Sequence, residues 1–465
     1  MSAANADLRA RLAAVDVSIS EQWLGLKQLQ DTREAIQRQL DHIVYPVLTL
    51  PNEITSEIFL QCLPPTPVFS EEEKDGPSSS DAPLLLLEIC RTWRSIAIST
   101  PTLWVHLHLN LLEVYGDVEE IIAQWFRRAG SCPLSFSVRG YLGLDPLESD
   151  AIIATLVHHA HRLQSVALQL EQQQFKKFMG IGPFPLLDEI AIALPFMDDE
   201  DEPGGLWNLE IFSDAPRLGH LHFGQNAILS MFPLPCWELS KATCESLPID
   251  DFLNLLEFAP TLLDFTCSVE PDPAIFNTEL ITHDTLQTLR LADNSSTHFL
   301  PLLRLPALQN LHLHIKDDMD DDAFQVFLTH SAASLGTFSA SVPIRTIALG
   351  WFSIMSKLTD IQLVVSDETL LSGFLSSLAS TNDSTFLPRL QSLTVVKRDF
   401  EFCALVNVFT ARCTARDGVA QLQSFWGIYP GGVRMSMAAS TRATLQGFIN
   451  GGMQIHIGTE ESNLI

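Results

Sequence analysis

A short apolar pattern recurs through the larger part of the chain and limits the fold more than any other feature. Windows of the form Leu-x-x-apolar-x-apolar begin at residues 163, 187, 218, 234, 262, 286, 308, 335, 358, 390 and 422. Their spacings run from 16 to 32 residues, with a mean of 25.9. Apolar residues two apart mark a strand with one face buried. Five windows carry a proline two residues ahead of the leading Leu, at Pro185, Pro216, Pro260, Pro306 and Pro388. Proline cannot continue a helix and keeps the residue before it out of helical geometry. Each of these prolines therefore predicts a helix that ends at an apolar-Pro-x-Leu corner and passes into a strand. FLNLLEFAPTLLDFTC (252–267) and FLPLLRLPALQNLHLHI (299–315) read as whole units of this kind. One helix–strand unit cannot bury its own apolar face. A stack of units can, as a curved solenoid with a parallel sheet on its concave side. Residues 118–139 read as the opening cap of the stack and 442–457 as its closing cap.

Strand side chains alternate, so the residue between the last two apolar positions of a window points to the concave face. Along the stack that row is Ala167, Ala191, His222, Glu238, Thr266, Arg290, His312, Ser339, Gln362 and Thr394. Two residues earlier, a parallel row includes Glu189, His220, Asp264, Thr288, Asn310 and Asp360. Long, charged and titratable side chains gather in the middle of the first row, at His222, Glu238, Thr266, Arg290 and His312. These five form a candidate binding face for a polar or basic protein segment.

The formal charge is -28, from 28 Lys and Arg against 56 Asp and Glu. A chain this acidic repels phosphate backbones and anionic lipid, so neither nucleic acid nor membrane is expected as a partner. Hydrophobic residues at 46% supply ample core material. No uninterrupted apolar run reaches the length of a membrane span, and the first residues lack the apolar stretch of a secretory signal. The eight cysteines contain no CxxC pair and read as reduced thiols, which fits a cytoplasmic or nuclear protein. Phosphate-binding, dinucleotide-binding, serine-hydrolase and HExxH zinc signatures are all missing. No catalytic, cofactor-binding or metal-ligating residue is therefore expected, and the chain does not read as an enzyme. KDDMDDDAF (316–324) places acids at the first three ligand positions of a calcium loop. It then has Ala323 where the loop needs Gly and Thr329 where it needs Glu, so its acids read as helix N-terminal caps.

Two segments precede the repeats. Residues 8–45 read as one helix with a heptad seam. Leu12, Ile19, Leu26, Arg33 and Leu40 recur every seven residues, with Val15, Gln22, Leu29, Ile36 and Ile43 three after each. The seam suits either a coiled coil or a helix folded onto its own chain. Residues 46–112 then offer two helix-like pieces, LPNEITSEIFLQCL (50–63) and APLLLLEICRTWRSIAIS (82–99), around a Pro-, Ser- and acid-rich loop at 64–81.

LPNEITSEIF followed by CRTWRSIAISTPTLW resembles the F-box-like domain. The matching residues are Leu50, Pro51, Glu53, Ile54, Ile58, Phe59, Cys90, Arg91, Trp93, Arg94, Ala97, Pro101, Leu103 and Trp104. The long 64–81 loop departs from the family pattern. The later repeats resemble the degenerate leucine-rich-repeat regions that follow F-box-like domains, notably in fungal proteins. The implied fold is α/β. It comprises an N-terminal helix (1–45), a small all-α F-box-like domain (46–112) and an irregular leucine-rich-repeat solenoid with a parallel concave sheet (113–465). The resemblance implies docking on a Skp-type adaptor through Leu50, Pro51, Ile54, Ile58, Phe59 and Leu63, and through the adaptor on a cullin scaffold. It implies a substrate-recruiting subunit of a Skp–cullin–F-box ubiquitin ligase, with the repeats holding an unidentified target protein. A non-catalytic scaffold acting outside ubiquitination is the alternative.

Overall fold

The computed structural model describes residues 2–41, 46–64, 80–110, 118–140, 146–194, 208–270, 279–292, 297–314, 320–341, 350–365, 368–380, 385–397, 401–413, 418–429, 437–459 and 463. The chain divides into two units, Met1–Pro64 with Ser79–Leu103, and Pro65–Ser78 with Trp104–Ile465. The expected loop at 64–81 lies almost wholly outside the described residues, as does Ile43 of the heptad seam.

The first unit is helical. Helix α1 covers Ser2–Asp41, α2 Asn52–Gln61, α3 Leu84–Ile89 and α4 Arg91–Ile98. The stretch 82–99, expected as one helix, breaks at Cys90, whose backbone is extended at φ -158° and ψ 167°. The Cys90 Sγ accepts the Trp93 N–H at 3.4 Å and so caps α4. The Arg94 Nε donates to the Leu87 carbonyl and ties the two short helices together. Phe59 of α2 packs on Trp93 with ring centroids 5.0 Å apart.

The second unit is α/β and is built on a fourteen-stranded parallel sheet. Its strands are β1 His106–Asn110, β2 Leu134–Arg139, β3 Leu163–Gln169, β4 Glu189–Ala193, β5 His220–Phe223, β6 Lys241–Leu247 and β7 Asp264–Val269. The short β8 Ile281–Thr282 and β10 Leu303–Arg304 pair only with each other. The sheet continues with β9 Thr288–Leu291, β11 Asn310–His314, β12 Thr337–Ser341, β13 Asp360–Val364, β14 Ser392–Val396, β15 Ser424–Ile428 and β16 Gln454–Gly458. Each strand lies beside its predecessor, so sheet order follows chain order. One aligned row runs Leu107, Phe136, Val166, Ile190, Leu221, Ala242, Phe265, Leu289, Leu311, Phe338, Ile361, Leu393, Phe425, Ile455. None of these residues is more than 6% exposed.

Helices in some of the connections, and 3₁₀ turns in others, cover that row. Phe126 of α5 (Val118–Arg128) packs on Phe136, and Phe252 of α8 (Ile249–Phe258) on Phe265, although α6 (Pro146–His159) and α7 (Gln172–Phe175) intervene in the chain. Phe324 of α9 (Asp321–Ser331) meets Phe338. After α10 (Gly350–Ile354) and α11 (Glu368–Ala379), Phe409 of α12 (Phe402–Arg412) meets Phe425, and α13 (Ala439–Asn450) leads into the last strand. The Asp320 carboxylate caps α9 by accepting the Asp322 and Ala323 N–H groups, the role read for this acid run.

The five prolines stand at tight turns whose geometry repeats. In each, the leading Leu N–H donates to the carbonyl three residues back. These bonds join Leu187 to Phe184, Leu218 to Ala215, Leu262 to Ala259, Leu308 to Leu305 and Leu390 to Leu387. Proline thus occupies the second turn position, where its fixed φ fits. Leu239, Leu335 and Leu358 close the same turn without proline, onto Cys236, Ala332 and Met355. At Leu286 a buried side chain takes over. The His283 Nδ1 accepts the Leu286 N–H while its Nε2–H donates to the Ala259 carbonyl.

Four expectations need correction. A helix runs directly into the corner only at Pro260. Before Pro306 the chain is a 3₁₀ turn (Leu300–Leu302) and β10, so 299–315 is no helix–strand unit. The window begun at Leu234 is displaced, because the strand is β6 and its leading residue is Leu239. The sheet begins at His106–Asn110, inside the region assigned to the N-terminal domain. Residues 118–139 therefore hold the second strand instead of the opening one.

Candidate functional site

Two faces emerge, one in each unit. In the first unit, Pro51 stands just ahead of α2 with φ -54° and ψ 147°, and Glu53 lies in the first turn, where a negative charge suits the helix dipole. The Pro51 carbonyl accepts both the N–H and the hydroxyl of Thr55. Thr55 and Phe59 turn inward and are buried. On the other side Pro51, Ile54 and Ile58 follow at helical spacing, and Ile54 is 50% exposed. Leu50 is exposed and Leu63 half-buried. Of the six residues expected on this face, Phe59 therefore belongs to the core instead, at 1% exposure against Trp93.

In the second unit, the side chains opposite the apolar row form one register. It runs His108, Ser137, Ala167, Ala191, His222, Thr243, Thr266, Arg290, His312, Ser339, Gln362, Thr394, Trp426 and His456. His222, Thr266, Arg290 and His312 stand where expected. Glu238 does not, since it lies exposed in a 3₁₀ turn (Cys236–Glu238) ahead of β6, and Thr243 takes its place. Sequence reading also missed Lys241, the neighbour of His220 and Asp264 in the parallel row. The signal was present, because Leu239, Ala242 and Cys244 repeat the apolar pattern.

Charges on this face are organised. Arg290 is answered by Asp264 of the parallel row, with Nη1 2.6 Å from Oδ1 and both groups partly exposed. The His220 Nδ1 lies 3.6 Å from the Asp188 carboxylate. The Ser165 hydroxyl donates to Glu189, and the Asn310 amide donates to Thr288. Burial lowers the His222 pKa, against the pull of Glu189 and with a push from Lys241. Burial also lowers that of His312, helped by Arg290 and opposed by Asp264. Burial thus favours the neutral form of both rings. Five strands from β5 to β11 at ~4.8 Å spacing give a polar strip about 19 Å wide. At the C-terminal end the Trp426 and His456 rings stack at 4.8 Å.

These groups make hydrogen bonds and ion pairs. No group of three or more His, Cys, Asp and Glu able to hold a metal gathers among the described residues. All eight cysteines are free thiols, and burial pushes Cys244 up to about 12. No helix among the described residues is long and apolar enough to cross a membrane. No family model matches the chain, and no curated protein matches it.

Proposed function

We propose that this chain is the substrate-recruiting F-box subunit of a Skp–cullin–F-box ubiquitin ligase. The exposed face of α2 would hold a Skp-type adaptor, and the polar face of the sheet, as the concave side of a leucine-rich-repeat solenoid, a target protein. The observation that carries this reading is the split of α2. Thr55 and Phe59 build the unit's own core while Leu50, Pro51, Ile54 and Ile58 stay exposed. Burying one large aliphatic side chain is worth about 1.5–3 kcal/mol. An exposed row of them in so short a unit is what helix-against-helix docking uses. Such a subunit needs no catalytic group, since it acts by holding target lysines near a charged conjugating enzyme supplied by others. On the target face, the Asp264–Arg290 pair and the half-buried ring of His312 would give a directional polar set suited to a polar segment.

The test is capture by the tagged full chain, probed for adaptor and cullin. Replacing Pro51→Ala and Ile54→Ala together should abolish adaptor capture. Unchanged capture would remove the adaptor reading, and adaptor without cullin would favour the scaffold. For the target face, His222→Ala, Thr243→Ala, Arg290→Ala and His312→Ala together should deplete non-ligase partners in quantitative mass spectrometry.

A further inference from the structure

The seam of α1 is a surface that the adaptor reading leaves unused. Leu12, Val15, Ile19, Leu26, Leu29 and Ile36 are each at least 47% exposed. Their average spacing of 3.5 residues keeps a stripe on one side of a helix when a second helix winds against it. A long helix with no covered apolar side draws little stability from propensity alone.

The two polar members of the seam, Gln22 and Arg33, identify the occupant and its direction. In a parallel pair of identical helices each residue faces its own copy. Arg33 then lies against Arg33 within an apolar stripe, an uncompensated pair of like charges. In an antiparallel pair with the two-fold axis between Leu26 and Leu29, facing residues exchange reciprocally. Leu26 faces Leu29, Ile19 faces Ile36, and Gln22 faces Arg33. Every apolar seam position from 19 to 36 then meets an apolar one, and the two polar positions meet each other. The guanidinium N–H groups donate to the Gln22 side-chain oxygen. Trp23, at the position flanking the seam just after Gln22, presents an aromatic face beside the same charge. Sliding the pair by one heptad sets Arg33 against Val15 or Leu29 and leaves Gln22 against a leucine. Only the first register satisfies all layers, and it spans about 27 Å of helix.

We infer that α1 pairs with α1 of a second copy of this chain as an antiparallel two-helix coiled coil centred on Leu26 and Leu29. The inference is independent of the adaptor reading. The first test is the mass of the full chain by light scattering at micromolar concentration. It should be twice that of one 51.6 kDa chain. Leu26→Lys with Leu29→Lys should return the monomer mass with the thermal melt of the sheet unit unchanged. Direction is tested by cross-linking an equimolar mixture of Ile19→Cys and Ile36→Cys chains and mapping the linked peptides. Links between 19 and 36 should dominate, because a parallel pair holds those positions about 25 Å apart. A monomeric wild-type chain, a dimeric double-lysine variant, or dominant 19–19 and 36–36 links would each overturn the proposal. A wild-type chain that is dimeric yet captures no adaptor would count against the adaptor reading alone.

Discussion

The two units place their apolar residues in opposite ways. In the sheet, the row from Leu107 to Ile455 is almost wholly buried, because each parallel strand has a neighbour on its edge and the helices, 3₁₀ turns and loops of the connections lie over the apolar face. In the helical unit, Leu50, Ile54, Ile58, Leu85, Ile89 and Ile98 all remain exposed, as does the seam of α1. Helices of 10, 6 and 8 residues bury too little surface to cover themselves. Parallel strands paired edge to edge thus keep their apolar row covered, whereas these apolar residues of the helical unit stay exposed. Substitution breaks this comparison most directly. Phe265→Ala, in the middle of the buried row and stacked on Phe252 at 5.1 Å, should cost about 3–5 kcal/mol in guanidinium unfolding of the sheet unit. Ile54→Ala should change stability by no more than about 0.5 kcal/mol, as an exposed position does. Equal losses at the two positions would refute the contrast.

The buried row was legible because leucine three residues ahead of alternating apolar residues leaves little but a strand with one face covered. Legibility failed where size misled. Ala242 and Cys244 fill the row at β6 but are small, while the large exposed Trp237 imitated an inward position five residues earlier. At β1 the leading position is Trp104 in place of Leu, fully buried against Trp125, so a search led by leucine passed over the first strand. The apolar run LLRL before Pro306 fits a helix as well as a short strand, and only its pairing with β8 decides between them. On the candidate face, alternation was enough to place His222, Thr266, Arg290 and His312 on one side. The Asp264–Arg290 contact was not visible, because it depends on the register between strands from different repeats.

Titration sharpens the comparison at intermediate size. His159, at the end of α6, packs edge-on against Phe126 with centroids 5.0 Å apart. Burial, then the charges of His158, Arg162 and His161, hold its pKa down to about 4. The unfolded ring binds a proton below about 6.5, whereas the folded ring stays neutral down to about 4. Its contribution is therefore complete above pH 6.5 and is lost as the pH falls through that window. The loss should be about 1–2 kcal/mol once the ring's remaining exposure screens it. His159→Phe keeps the aromatic contact and removes the titration. Its sheet unit should lose less stability than wild type between pH 7 and pH 4.5, measured as the difference in guanidinium midpoints. Parallel pH profiles for the two proteins would show that His159 has no part in acid sensitivity.

The smallest effect concerns how much of the sheet unit's self-sufficiency is local. The corner ahead of β7 is closed by the Leu262 N–H on the Ala259 carbonyl, with the exposed Pro260 at the second turn position. The Leu239, Leu335 and Leu358 corners close in the same way with other residues there, so proline is not required for the folded geometry. Its effect must come from the unfolded chain, whose freedom at that residue the ring removes. Pro260→Ala should therefore cost about 0.4–1 kcal/mol. The Thr285 hydroxyl bonds to the carbonyl of residue 260 and of Leu262 should survive, since both acceptors are backbone atoms. The measurement is guanidinium unfolding with an unchanged slope, because the folded surface does not alter. A loss of several kcal/mol would mean that proline holds the corner's folded shape. No loss would mean that the unfolded chain already favours the turn there, leaving side-chain burial to account for the difference between the two units.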